Sequence, residues 1–240
     1  MTEAVLSVTD SDARQAGRRA RILDAAARLF ARFGFDKTSI DNIARDAGVS
    51  KGAVYLHWPS KDALFEATVI REGLRTLDDI EQRLTADPDG GSLAAIYRHS
   101  VLAIGANPLT LAIYTRDTSV VGVYIRRQDP ALTGRRFVFG EEFVRRMQSA
   151  GLIRADLDPA ITAFVMGVIS FGLLGISHLA PSLRVPPLEV LADAVADMVH
   201  RGLATTGRRN VAAGNAAFRT LVDDTRALYA ERTETAHGRH

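Results

Sequence analysis

The polar residues of this 240-residue chain do not assemble into a familiar catalytic pattern. It has no G-x-S-x-G elbow, no glycine-rich phosphate loop and no H-E-x-x-H helix. Asp156 and Asp158 suit a loop and a helix cap better than a general acid and base. The chain contains no cysteine, so disulfides, thiolate ligands and cysteine nucleophiles are all excluded. His57 has no second histidine one helical turn away, and the histidines at the C-terminus are too sparse for a metal-binding tract. No enzyme, metal or cofactor is expected. What remains is charge. Between Arg14 and Lys61 ten Lys or Arg stand against four Asp or Glu, a local excess of +6 in a chain whose net charge is only +2. All three lysines, Lys37, Lys51 and Lys61, lie in that stretch. Such a footprint attracts a polyanion, although charge asymmetry alone is equally compatible with a solvated helix face.

The elements that must position this charge read as helices. Ile22, Leu23, Ala26, Leu29, Phe30 and Phe33 recur at helical spacing, and Gly34 follows where a left-handed C-cap belongs. Arg18, Arg19 and Arg21 sit near the start of that helix, where cations oppose the macrodipole unless an anion is close by. Thr38 with Asp41 three residues later gives a capping-box-like start to a short helix through Ala47. Gly48-Val49-Ser50 interrupts it. Ser50 can cap a further helix from Lys51 to Trp58, and Pro59 ends that helix by denying Trp58 the helical region. Two short helices across a glycine turn form a helix-turn-helix, a motif that offers its second helix to the DNA major groove.

The stretch from Arg19 to Val69 resembles the N-terminal domain of the tetracycline-repressor family of bacterial regulators. The resemblance rests on Ile43-Ala44, Ala47-Gly48-Val49-Ser50, Tyr55, His57, the aromatic Trp58, Ser60-Lys61 and Leu64, with Trp58 standing where phenylalanine is commoner. It implies an all-α protein, with a three-helix DNA-binding domain followed by a larger helical domain for effector binding and dimerisation. It also implies a homodimer on a palindromic operator, released by a small molecule. Tyr55, His57 and Lys61 then correspond to phosphate-gripping positions, with Thr38 and Ser39 contributing at the start of the second helix. Ser50, Lys51, Gly52 and Ala53 correspond to the end of the recognition helix that meets base edges. Hydroxyl, imidazole, ammonium and helix N-terminus all donate to anionic oxygen, so the chemistry suits the roles. Ser50 as a plain cap and Tyr55 as a core residue are the competing readings.

The organisation expected from these signals is a disordered leader over 1–13, a DNA-binding domain over 14–60 and a helical domain over 61–206. A polar tail with a possible short helix at Phe218, Leu221, Val222, Thr225 and Leu228 occupies 207–240. At 47% apolar and 24% charged residues the chain is of ordinary globular composition, and its first thirty residues lack an apolar signal region, which makes the cytoplasm the default location. Helices are expected from Lys61 to Leu84, from Ser92 to Gly105 and from Asn107-Pro108 to Arg116. Further helices are expected from Pro130 to Ala150, from Pro159 and from Leu188 to Leu203. Val120, Val121, Val123, Tyr124 and Ile125 suit a strand as well as a helix, and only the resemblance favours helix over 117–129.

From Pro159 to Leu183 there is no charged residue. The run is long enough to span a bilayer, yet its glycines, Thr162, Ser170 and Ser177 dilute it, and it lacks a cluster of flanking positive charge. A buried helix at a dimer axis or ligand cavity is the favoured reading, and a membrane-anchored regulator the alternative. Phe164, Val168, Phe171, Gly175 and His178 share one helical face, and Phe139 and Phe143 lie one turn apart on the preceding helix. Together they form a candidate apolar pocket for a hydrophobic or amphiphilic effector, with core or interface packing as the competing reading. Repression is favoured over activation, since a bound dimer blocks polymerase without a further contact.

Overall fold

The computed structural model describes residues 2–122, 140–179, 182–206 and 210–237, with side chains over 13–122, 140–176, 182–206 and 210–230. Among the described residues there are eleven helices: α1 (Thr2–Phe33), α2 (Ile40–Ala47), α3 (Lys51–Tyr55), α4 (Lys61–Ala86), α5 (Leu93–Ala106), α6 (Pro108–Thr115), α7 (Thr118–Val121), α8 (Glu141–Ser149), α9 (Pro159–Leu179), α10 (Leu188–Leu203) and α11 (Val211–His237). The only extended pairing among the described residues is a single bridge between Ile153 and Ala204. The fold is all-α.

The chain divides into two units, and the division differs from the expected boundary at residue 60. One unit runs to Glu72 and adds the segment beginning at Arg116; the other comprises Gly73–Thr115 and the described residues from Gly140 onward. Helix α4 contributes its first half to one unit and its second half to the other.

In the first unit the apolar stripe of α1 closes on α2, α3 and the start of α4. Ile22, Ala26, Phe30, Ile43, Val54 and Leu64 are buried there. Phe65 meets Phe30 edge-on at 4.8 Å and Phe35 at 4.9 Å, a geometry that aligns ring edges with ring faces. Arg71 on α4 reaches back to α1, pairing with Asp24 at 2.9 Å and with the buried carboxylate of Glu72 at 2.7 Å. Helix α1 is helical from Thr2, where a disordered leader was expected over 1–13. It ends at Gly34, whose φ of +82° is the left-handed region glycine enters without a Cβ penalty. The Thr118–Val121 segment packs closely against this turn: the Phe35 amide donates to the Val120 carbonyl at 2.7 Å, and a Cβ on Gly34 would lie 2.2 Å from the Ser119 carbonyl oxygen. The segment left open between strand and helix is helical over Thr118–Val121, capped by Asp117. Residues 123–139, including Phe139 and the first half of the helix expected from Pro130, lie outside the described residues.

The second unit is built around α5, which is buried on nearly every side from Leu93 to Ile104 and packs along α10. A polar thread crosses its core: the Tyr97 and Ser170 hydroxyls are 3.0 Å apart, and Ser170 donates to the Met166 carbonyl at 2.8 Å. The expected polar tail is instead the 27-residue helix α11. Phe218 and Val222 bury its inner face, Arg146 of α8 pairs with Asp224 at 2.6 Å, and Arg226 pairs with Asp78 of α4 at 2.6 Å. The periodicity at Phe218 to Leu228 marks only the middle of this element. Its start is set by backbone contact: a Cβ on Gly214 would lie 1.9 Å from the Gly91 carbonyl oxygen, so α11 begins where two glycines let chains touch.

Candidate nucleic-acid interface

Helix α2 begins one residue later than the sequence pattern suggests. Ser39, not Thr38, is the N-cap, and it forms the capping box with Asn42, whose amide donates to the Ser39 hydroxyl at 3.2 Å. Thr38 is consequently 3% exposed and donates its hydroxyl to the Gly34 carbonyl at 2.8 Å. Its hydroxyl is committed inward, and the exposed hydroxyl at the helix start is that of Ser39. Helix α2 ends at Gly48, φ +65°, which donates its amide to the Arg45 carbonyl.

Ser50 then caps α3, accepting from the Ala53 amide at 3.1 Å. Ser50, Lys51 and Gly52 are exposed in sequence, Ala53 is half-buried and Val54 points into the core. One end of a short helix is thus fixed by Val54 and the buried Trp58, while its leading residues are open to solvent. Lys51 is not idle: its ammonium donates to the Asp41 carboxylate at 2.8 Å, and that bond raises its pKa. Asp41 is the residue the sequence reading missed. Its signal was an acidic side chain at the exposed start of α2, taken there as a cap partner and not as a partner across the turn.

Tyr55 is 45% exposed, so the core reading of this ring does not hold. His57 is half-buried beside Trp58, with ring centroids 5.4 Å apart, and its pKa is lowered by burial first and by the nearby Arg19 and Arg18 next. It is therefore a neutral imidazole at pH 7, set among cations. Arg19 lies 5.4 Å over the Trp58 ring, which holds one of the α1 arginines beside His57. Lys61 is tied down more than its sequence position suggests. Its ammonium donates to the Phe35 carbonyl at 2.9 Å and the Thr38 carbonyl at 3.2 Å, and it sits 4.3 Å from the Phe35 ring centroid. One ammonium hydrogen is left for another acceptor.

These groups belong to one unit and one short stretch of chain, and residues 22–68 match the model for bacterial regulatory proteins of the tetR family. This stretch is a tetR-family DNA-binding domain. Its helix-turn-helix region is 46% identical over 52 residues to the HTH-type transcriptional repressor Rv1474c of Mycobacterium tuberculosis, covering 22% of this chain and 28% of that one. It is 39% identical over 74 residues to the regulator YerO of Bacillus subtilis, covering 30% of this chain and 26% of the other. The matches thus span about a quarter of those relatives' own length. Among solved structures, SmeT, the repressor of the Stenotrophomonas maltophilia multidrug efflux pump SmeDEF, is similar over 79% of this chain and 91% of its own, with 26% identity and a TM-score of 0.57.

Of the residues expected to bind an effector, Phe143, Phe164 and Phe171 have described side chains, and Phe143 does not share a surface with the other two. Phe143 is 1% exposed within the core of the second unit, whereas Phe164 on α9 is 73% exposed and Phe171 lies toward the same open side. His178 and Phe139 lie outside the residues whose side chains are described. The periodicity correctly grouped Phe164, Val168 and Phe171 on one face of α9, but that face is the outer one. The inner face carries Met166, Ser170 and Leu174. Residues 159–176 are long and apolar enough to cross a membrane, with a mean hydropathy of 2.0.

Proposed function

We propose that the protein is a homodimeric, cytoplasmic transcriptional repressor that leaves a palindromic operator when a small apolar or amphiphilic molecule binds its second unit. The observation that carries the DNA-binding part is the exposed leading end of α3 in a unit of concentrated positive charge. Ser50, Lys51 and Gly52 stand clear of the core, with Tyr55 and His57 close behind them. Ser50 and Lys51 supply donors for base edges, Gly52 permits close approach, and Ala53 offers a methyl-sized contact to thymine. Tyr55, His57 and the remaining Lys61 hydrogen supply phosphate contacts that set register without reading sequence.

Dimerisation through α9 and α10 is supported by the apolar side chains these helices leave uncovered. Ile161, Phe164 and Val168 on α9 and Val190 and Met198 on α10 are all more than half exposed in the single chain. Two helices from each protomer make a four-helix interface that removes this surface from water. A bilayer is the second reading of the same face; the carboxylates of Glu189, Asp193 and Asp197 along α10 favour the protein interface, because hydrocarbon is a poor place for them.

A twofold dimer presents its recognition helices to half-sites about one turn of DNA apart. An effector acts by binding better to a spacing of those helices that does not fit the operator. Selection of operators from random or genomic DNA with the purified protein tests this reading. Recovery of a palindrome with half-sites one or two turns apart supports it, and recovery of no preferred sequence defeats it. Reporter transcription from that operator, rising on deletion of the protein, separates repression from activation.

A further inference from the structure

The second unit contains a partly open cavity of about 110 Å³ between α4, α5, α6 and α11. One end is apolar, lined by Leu77, Ile80, Ile104, Phe218, Leu221 and Val222. The other is polar but uncharged: Thr76 and Thr110 place their hydroxyls 3.0 Å apart, and Tyr114 and Tyr229 add two phenols. Burial pushes Tyr114 up to about 12, so it stays a neutral donor at any physiological pH. Among the described residues, no charged side chain lines the space. Arg226 on α11, next in sequence to the lining residue Thr225, is committed to Asp78 and Glu81 at 2.6 and 2.5 Å. Those ion pairs also hold α11 against α4. At Gly73 the absence of a side chain admits Tyr229, since a Cβ there would meet the phenol oxygen at 3.3 Å.

We infer that this cavity, walled by the C-terminal helix α11, is the effector site, and that it takes a neutral, ring-sized apolar molecule carrying one hydrogen-bonding oxygen. The inference rests on the regulator reading above and replaces the α9 face as the place where the effector binds. Size sets the first limit: a cavity on this scale, against about 150 Å³ for an apolar one that accepts benzene, has room for a single ring. Chemistry sets the second. A carboxylate or ammonium entering here would lose its hydration with no opposite charge to replace it, which disfavours ions strongly. A hydroxyl or carbonyl loses little, because Thr76, Thr110 and the tyrosines can each donate or accept.

The experiment is calorimetric titration of the full chain, without DNA, using three probes of one shape: toluene, benzyl alcohol and benzoate. Both neutral probes bind, benzyl alcohol more tightly, and benzoate binds at least ~10-fold more weakly or not at all. Leu221→Trp, which fills the apolar end, weakens both neutral probes at least ~10-fold. The nearly isosteric pair Thr76→Val and Thr110→Val weakens benzyl alcohol by ~5-fold or more and leaves toluene unchanged, so the result does not depend on Leu221→Trp folding well. Circular dichroism and thermal melting check each variant. Failure of both neutral probes to bind, benzoate binding as tightly as benzyl alcohol, or affinities unmoved by either set of substitutions would each overturn the proposal. An operator selection that yields no preferred sequence defeats the regulator reading and leaves these affinities as they are; a failed titration leaves operator binding intact.

Discussion

The two units spend their polar groups in opposite ways. In the first, hydroxyls and cations lie at the surface on short helices: Ser39 and Ser50 as caps, Lys51 against Asp41, Arg19 over Trp58. In the second, ion pairs such as Arg146–Asp224 tie helices at the surface, but the hydroxyls of Tyr97, Ser170 and the Thr76–Thr110 pair lie inside, while the outer face of α9 is apolar. A surface that must meet a solvated polyanion keeps its donors wet and exchangeable. A surface that must meet its own copy, or enclose a neutral molecule, puts oily groups outward and buries the few donors it needs.

The largest expected effect tests whether the units are energetically separate. Phe65→Ala removes the central ring of the aromatic trio and should cost the first unit about 3–5 kcal/mol. Chemical denaturation should then show an early transition, with DNA binding lost and the dimer intact by sedimentation. Simultaneous loss of the dimer would break the comparison. Next comes Phe164→Glu on the outer face of α9. A carboxylate facing its own copy should raise the dimer dissociation constant at least ~100-fold, or about 2.7 kcal/mol, again by sedimentation. An unchanged dimer removes α9 from the interface.

Smaller effects divide the DNA contacts. Lys51→Ala should cost about 1–3 kcal/mol at one base position of each half-site and little on other sequences. Tyr55→Phe, which loses one hydroxyl, should weaken binding to every sequence alike by about 0.5–1.5 kcal/mol, read by anisotropy across a panel of sites. The smallest effect belongs to His57. Its pKa in the free protein is lowered by burial and the neighbouring arginines, and a phosphate beside it would raise it. Binding would then take up a proton, so affinity should increase as pH falls from 7 through the ordinary histidine value near 6.5. His57→Gln should flatten that slope; an identical slope in both proteins would place His57 away from the backbone.

How much of this was legible beforehand followed the same division. Local chemistry near the helix-turn-helix was readable because glycine turns, hydroxyl caps and Pro59 act over three or four residues. Even there the cap slipped by one residue: Thr38 and Ser39 are equally good cap types, and only the buried packing of Thr38 under α1 decides between them. The partner of Lys51 and the carbonyl partners of Lys61 were invisible, since both depend on how α2 packs across a turn. In the second unit the periodicity of α9 identified one face correctly but not whether it points in or out, because every side of that helix is apolar. Helix α11 was read as a tail because most of its apolar residues are alanines; it is held by distant charges at Asp78, Glu81 and Arg146 that no local pattern links to it.

The Lys51–Asp41 pair has one more consequence. A lysine that meets DNA from bulk solvent sheds no partner of its own, whereas Lys51 must first leave a carboxylate 2.8 Å away. Asp41 thereby acts as an internal competitor, rewarding departure of the ammonium only where the duplex offers acceptors at least as well placed. If Lys51 meets a base edge, random duplex, which offers scattered phosphate charge, should leave the pair closed and a matching half-site should open it. Discrimination at that base step is then set in part by the strength of a bond the protein makes with itself, and a chain with Asn at position 41 would bind more DNA and distinguish less of it.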